Sequence, residues 1–172
     1  TWVAVNTGLP TAAGAKAKGD TDEFVGMAVD PYVPSSIVLL VVDTNGTGDQ
    51  DEIYKNTNVR GGGSWASVFS RATLNTLTGD ANTTMIIYEL WATIAAQDVY
   101  YAVVLGDVSG YRVIHTHSAG TAWTVSATFQ NNSVNIAVGQ RNALLAFLTS
   151  NDNATGNQDI RTNAADSHVW VD

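Results

Sequence analysis

Apolar and polar positions alternate with a period of two along most of this chain. The segments "DEFVGMAV", "SSIVLLVVD", "TTMIIYELWATI", "DVYYAVVL", "GYRVIHTH", "TAWTVSATF" and "NSVNIAV" are short and rich in β-branched and aromatic residues. Clusters of Asn, Gly, Asp and Ser separate them, the punctuation expected between strands. The pattern predicts an all-β fold, an antiparallel β-sandwich of jelly-roll-like type. The continuously apolar runs "SIVLLVV", "MIIY" and "YYAVVL" predict strands covered on both faces.

Two stretches carry a different period. In "SWASVFSRATLNTL", Trp65, Val68, Phe69 and Ala72 recur at helical spacing behind Ser64, a candidate N-cap. "GQRNALLAFLTS" fits a short helix or a strand. Gly61, Gly62 and Gly63 form a hinge and not a phosphate loop, because no GK[ST] follows. No linker or composition shift divides the chain, so residues 1–172 read as one domain. Apolar strands sit at both ends, "TWVAV" and "HVWV", and need burial in this domain or in a neighbour. The missing initial Met suggests a processed mature form or a trimmed piece of a longer chain, and no signal peptide is visible.

Composition sharpens this picture. Hydrophobic residues make up 45% of the 172, enough for a packed core, while charged residues are only 14%. Thr and Asn cover the surfaces that Lys and Glu usually cover, as in secreted and self-assembling surface proteins. A net charge of −8 with no basic cluster excludes nucleic acid as a partner and disfavours anionic membranes. No apolar run is long enough for a membrane-spanning helix. The chain has no cysteine, so disulfides cannot staple it.

The scarce charge is concentrated in "VVDTNGTGDQDEIY" (41–54). Asp43, Asn45 and Thr47 stand at alternate positions, followed by Gly48, Asp49, Asp51 and Glu52. Calcium takes six to eight oxygen ligands, and alternate residues of a tight loop can direct oxygens to one point. The run is similar to the D-x-[DN]-x-[DNST]-G loops of EF-hand and dockerin type. It departs from them at the twelfth position, where Tyr54 replaces the bidentate Glu, and it lies between strands rather than before a helix. An acidic hairpin turn is the competing explanation. A second stretch, "NDNATGNQDI", repeats the pattern with less charge, through Asp152, Asn153 and Asp159. Asp20, Asp22, Glu23 and Asp30 are further oxygen donors that could complete a shell.

Other constellations are weaker. His115 and His117 share a strand face, but zinc needs a third ligand and His168 is remote. Glu89 is the lone charge of an apolar strand and reads as an outward-facing residue. No nucleophile motif appears, and the chain reads as a non-enzyme. Five Trp and the Tyr100–Tyr101 pair could stack sugars, though core packing is their commoner use. Asn45, Asn82, Asn131 and Asn153 each begin an N-x-[ST] sequon.

In its cysteine-free, Thr/Asn-rich style and in the "VVDTNGTGD" loop, the chain resembles archaeal surface-filament or cannula-type subunits. That resemblance implies an extracellular structural protein that self-assembles into filaments or tubes by β-strand addition, with bound Ca2+. Thr1 to Asn6, or His168 to Val171, would then pair with the next copy. A calcium-dependent carbohydrate-binding module or lectin, with glycans as partners, is the alternative.

Overall fold

The computed structural model describes residues 4–11, 15–17, 26–34, 37–46, 49–93, 97–116, 118, 120–125, 134–138, 146–151 and 158–163. Twelve strands and one short helix are formed among them. Five strands make the first sheet: β1 (Lys16–Ala17), β2 (Met27–Val29), β3 (Val38–Asp43), β4 (Asp51–Asn56) and β5 (Ala66–Phe69). Its order is β1-β3-β4-β5, and β2 shares the free side of β3 with β1. β2 lies against Val38 to Leu40, and β1 against Val42 and Asp43.

The second sheet contains β6 (Met85–Ala92), β7 (Tyr100–Gly106), β8 (Gly110–Thr116) and β9 (Thr124–Val125), in chain order. The third, also in chain order, contains β10 (Val134–Val138), β11 (Ala146–Asn151) and β12 (Gln158–Asn163). Every ladder between these strands is antiparallel. The all-β expectation therefore holds. The second and third sheets are simple meanders, while in the first the chain passes from β1 and β2 to β3, beside which both lie.

Alternation decides which side chains reach the core. Ala28, Leu39, Val41, Ile53 and Phe69 of the first sheet meet Met85, Ile87, Leu90, Tyr100, Ala102, Val104 and Ile114 of the second in one apolar cluster. Trp123 closes it, edge-on to Phe69 at 5.4 Å, with its indole N–H on the Val68 carbonyl. The opposite face of β7 and β8 is buried too, at Tyr101, Val103, Val113 and His115. β10 lies against β6 and β7. The unbroken apolar run "YYAVVL" thus reflects burial on both faces, as its pattern predicted.

The helix α1 (Arg71–Thr78) is shorter than the apolar spacing suggested and starts later. Ser70, not Ser64, is the N-cap: its hydroxyl accepts the Thr73 N–H. Gly79 ends the helix in the left-handed region at φ 76°. Val68 and Phe69 suit either period, and pairing with β4 draws Ala66–Phe69 into the sheet. In "GQRNALLAFLTS" the segment Ala146–Asn151 is a strand, paired on both sides, and 139–145 lie outside the described residues.

Part of the N-terminal segment docks on its own chain. The Val5 carbonyl accepts the Trp65 indole N–H at 2.7 Å, and the Thr7 carbonyl accepts the Trp65 backbone N–H at 2.8 Å. Gly8 passes so close to the Trp65 carbonyl that no Cβ would fit. Leu9 and Pro10 then line an open groove of about 290 Å3 together with Leu40 and Val42 of β3. The apolar residues 1–3 and 168–171, assigned to a neighbour from sequence, lie outside the described residues.

Candidate functional site

The acidic loop connects β3 to β4, and Asp43 stands directly opposite Asp51 in their ladder. Both are fully buried on the core-facing side of the sheet end. Two like charges facing each other on adjacent strands repel unless each is compensated. The Asp43 carboxylate accepts the backbone N–H groups of Asn45 at 3.1 Å and Gly46 at 3.0 Å. This is the Asx turn that Asp followed by Asn-Gly favours. Asp51 accepts the Ile87 N–H at 2.7 Å, and so joins the loop to the edge of the second sheet. The Met85 N–H on the Asp49 carbonyl makes the same connection one step earlier.

The other predicted ligands divide. The Asn45 side-chain amide donates to the Asp49 carboxylate at 2.7 Å, and these two close the top of the loop. The Thr44 N–H and hydroxyl both donate to the Gln50 carbonyl, which pins its base. Glu52 faces the other side of the sheet by strand alternation and accepts the Ser67 hydroxyl at 2.9 Å. Thr47, Asp152 and Asn153 lie outside the described residues. Asp159 is in β12, opposite Ser150. Among the described residues no three His, Asp or Glu side chains converge as a metal-holding group.

Asp30 does not contribute to this loop. It follows β2, and its N–H bonds the Ile37 carbonyl. Six residues of chain separate Ile37 from Asp43, about 20 Å at about 3.3 Å per residue. At that far end Asp30 is fully buried. It accepts the Tyr100 hydroxyl at 2.7 Å and the N–H groups of Tyr32, Val33 and Asp98. Burial pushes its pKa up, but these four donors outweigh burial and hold it below the usual carboxylate value. Tyr100 is raised in turn, by burial and by its bond to Asp30. Lys55 lies on the same side of the sheet, nearly buried, and burial lowers its pKa against the opposing pull of Asp98 and Asp30. Asp98 takes the left-handed φ of 63°. Sequence reading missed this cluster because its members lie up to 70 positions apart.

The remaining candidates are mostly structural. The Asn82 sequon is buried: its side-chain oxygen accepts the N–H groups of Val108 and Ser109, and its amide donates to Asn75. No glycan can be attached there in the folded chain. His115 is buried, stacks on Tyr101 at 5.4 Å and bonds the Thr124 hydroxyl, while His117 and His168 lie outside the described residues. Tyr100, Tyr101 and Trp123 are core residues and cannot form a sugar platform. Glu89 accepts the indole N–H of Trp91, a residue that is 43% exposed. No described helix is long and apolar enough to cross a membrane. The chain matches no protein-family model and no curated protein sequence.

Proposed function

We propose that this chain is an extracellular structural subunit that polymerises into filaments or tubes by β-strand addition, with Ca2+ stabilising the β3–β4 loop. One observation carries the assembly reading. The free side of β3 is covered by two short strands, and the three-residue β2 presents Met27 (51% exposed) and Val29 (37%), with Tyr32 (51%) just beyond. An edge strand offers N–H and C=O groups to a strand of another chain, and exposed apolar side chains beside it gain burial from the addition. An added strand that does not close on itself makes an open polymer. The charge-poor, Thr/Asn-rich composition supports the same reading. Calcium rests on the spacing of Asp43, Asn45, Thr47 and Asp49. A cation there would displace the Asn45–Asp49 bond and take the side-chain oxygens of those two residues.

Electron microscopy and light scattering of the purified chain, with calcium and with chelator, test both parts. Ordered polymers are the expected result, and a monodisperse monomer at every concentration and calcium level would sink assembly. Calcium at about a hundred times its Kd adds roughly 2.7 kcal/mol to the native state, so Tm rises. An unchanged Tm removes calcium and leaves assembly standing.

A further inference from the structure

We propose that Asn45 is a latent deamidation site, and that Asp43 and Asp49 suppress its reaction in the folded chain. Asn45 precedes Gly46, whose lack of a side chain opens its backbone nitrogen to the Asn45 side-chain carbon. In the reaction the Gly46 nitrogen loses its proton and bonds to Cγ of Asn45. The Cγ–Nδ2 bond breaks, and Nδ2 leaves as ammonia with that proton. One water molecule then opens the cyclic imide to an aspartyl or isoaspartyl residue. Water is the one co-reactant, and no oxidant or reductant is needed.

Water reaches this site, since Gly46 is exposed and Asn45 half-exposed. Burial therefore does not protect the pair, and the hydrogen bonds must. The Gly46 N–H donates to the Asp43 carboxylate at 3.0 Å. The nitrogen that must lose its proton is thus held by that proton, beside a negative charge that opposes a second one. The Asn45 N–H bonds the same carboxylate oxygen at 3.1 Å, which fixes the backbone on the other side of the reacting carbon. The Asn45 Nδ2 donates to Asp49 Oδ1 at 2.7 Å. That bond fixes the side-chain torsion and keeps the departing nitrogen a donor, where departure as ammonia requires it to gain a proton.

The outcome matters to the loop. Deamidation would replace a donor at position 45 with a carboxylate, facing Asp49 across a hydrogen-bond distance. The isoaspartyl product would also lengthen the main chain inside a turn whose register sets Asp43 opposite Asp51.

The test is peptide mapping by mass spectrometry, in calcium-free buffer at neutral pH, with a synthetic peptide of residues 41–52 as the unrestrained reference. The full chain should deamidate at position 45 about tenfold or more slowly than the peptide, a factor equivalent to about 1.4 kcal/mol. Asp43→Asn keeps the shape of the turn and removes the charge, and it should move the rate toward that of the peptide. Asp49→Ala, at a half-buried position, should do so without disturbing the strands, and it carries the test alone if Asp43→Asn fails to fold by circular dichroism. A full chain that reacts as fast as the peptide would overturn the proposal. So would folded variants that react no faster than the parent chain.

Discussion

Asp30 and Asp43 are both fully buried and lie at opposite ends of β3, yet the fold satisfies them by different means. The donors to Asp43 are its own near neighbours, Asn45 and Gly46, so one turn carries the information. Asp30 draws on Tyr100 and Asp98, 70 and 68 positions away, and shares its surroundings with Lys55. It accepts the N–H groups of Tyr32 and Val33 in a local turn, as Asp43 does with its own neighbours. But it also ties that turn to the start of β7 through Tyr100 and Asp98, donors that reach it only once both sheets have assembled. One buried carboxylate shapes a loop, and the other joins distant elements.

The largest test of that contrast is a pair of truncations read by chemical denaturation. Asp30→Ala should destabilise the chain by about 3–5 kcal/mol, because it strands the buried Tyr100 hydroxyl, removes the acceptor of three further N–H groups and takes away one of the two carboxylates near Lys55. Asp43→Ala should cost about 1–3 kcal/mol, since the N–H groups it frees belong to half-exposed and exposed turn residues that water can reach. Equal losses would mean that the two ends are alike in energy despite their different wiring. A finer test is Tyr100→Phe, which removes a single hydroxyl donor from Asp30 and should cost about 1.5–3 kcal/mol. Placed on Asp30→Ala, the same change should cost far less, because the two groups act as one contact. Additive costs would show that the Tyr100 hydroxyl contributes independently of Asp30.

Legibility from sequence follows the same division. The strands were readable because "SIVLLVV" and "YYAVVL" bury continuous apolar surface, and the Asp43 turn because its oxygen and its amides lie within three residues. The helix start was misplaced by six residues. Val68 and Phe69 serve both periods, and pairing with β4 is not written locally. Asp30 looked like a donor for the distant loop because nothing in "AVDPYV" names Tyr100 as its partner. Asn82 read as a sequon, although its value lies in the turn at Val108–Ser109, 26 and 27 positions on. Contacts between elements escape periodicity, and in this chain they decide the buried polar chemistry.

Asp107 offers the smallest effect and isolates the loop end by pH. It is exposed and accepts the Thr83 hydroxyl and the N–H groups of Thr83 and Thr84, just before β6 enters the ladder beside Asp49. Those bonds, the Thr83 hydroxyl foremost, lower its pKa to about 2 from an ordinary 3.8. A carboxylate with a depressed folded pKa contributes stability that is complete above the unfolded value and is lost as pH falls through the folded one. The contribution of Asp107 is therefore present above about pH 4 and gone below about pH 2. Asp107→Asn should flatten the stability profile in that window and leave it unchanged near neutrality, apart from a constant offset. Asp30 also has a lowered pKa and would continue to drive acid unfolding in the variant. If Asp107→Asn removes the entire acid transition, the far end contributes nothing in that range, and the long-range wiring of Asp30 does not express itself as charge.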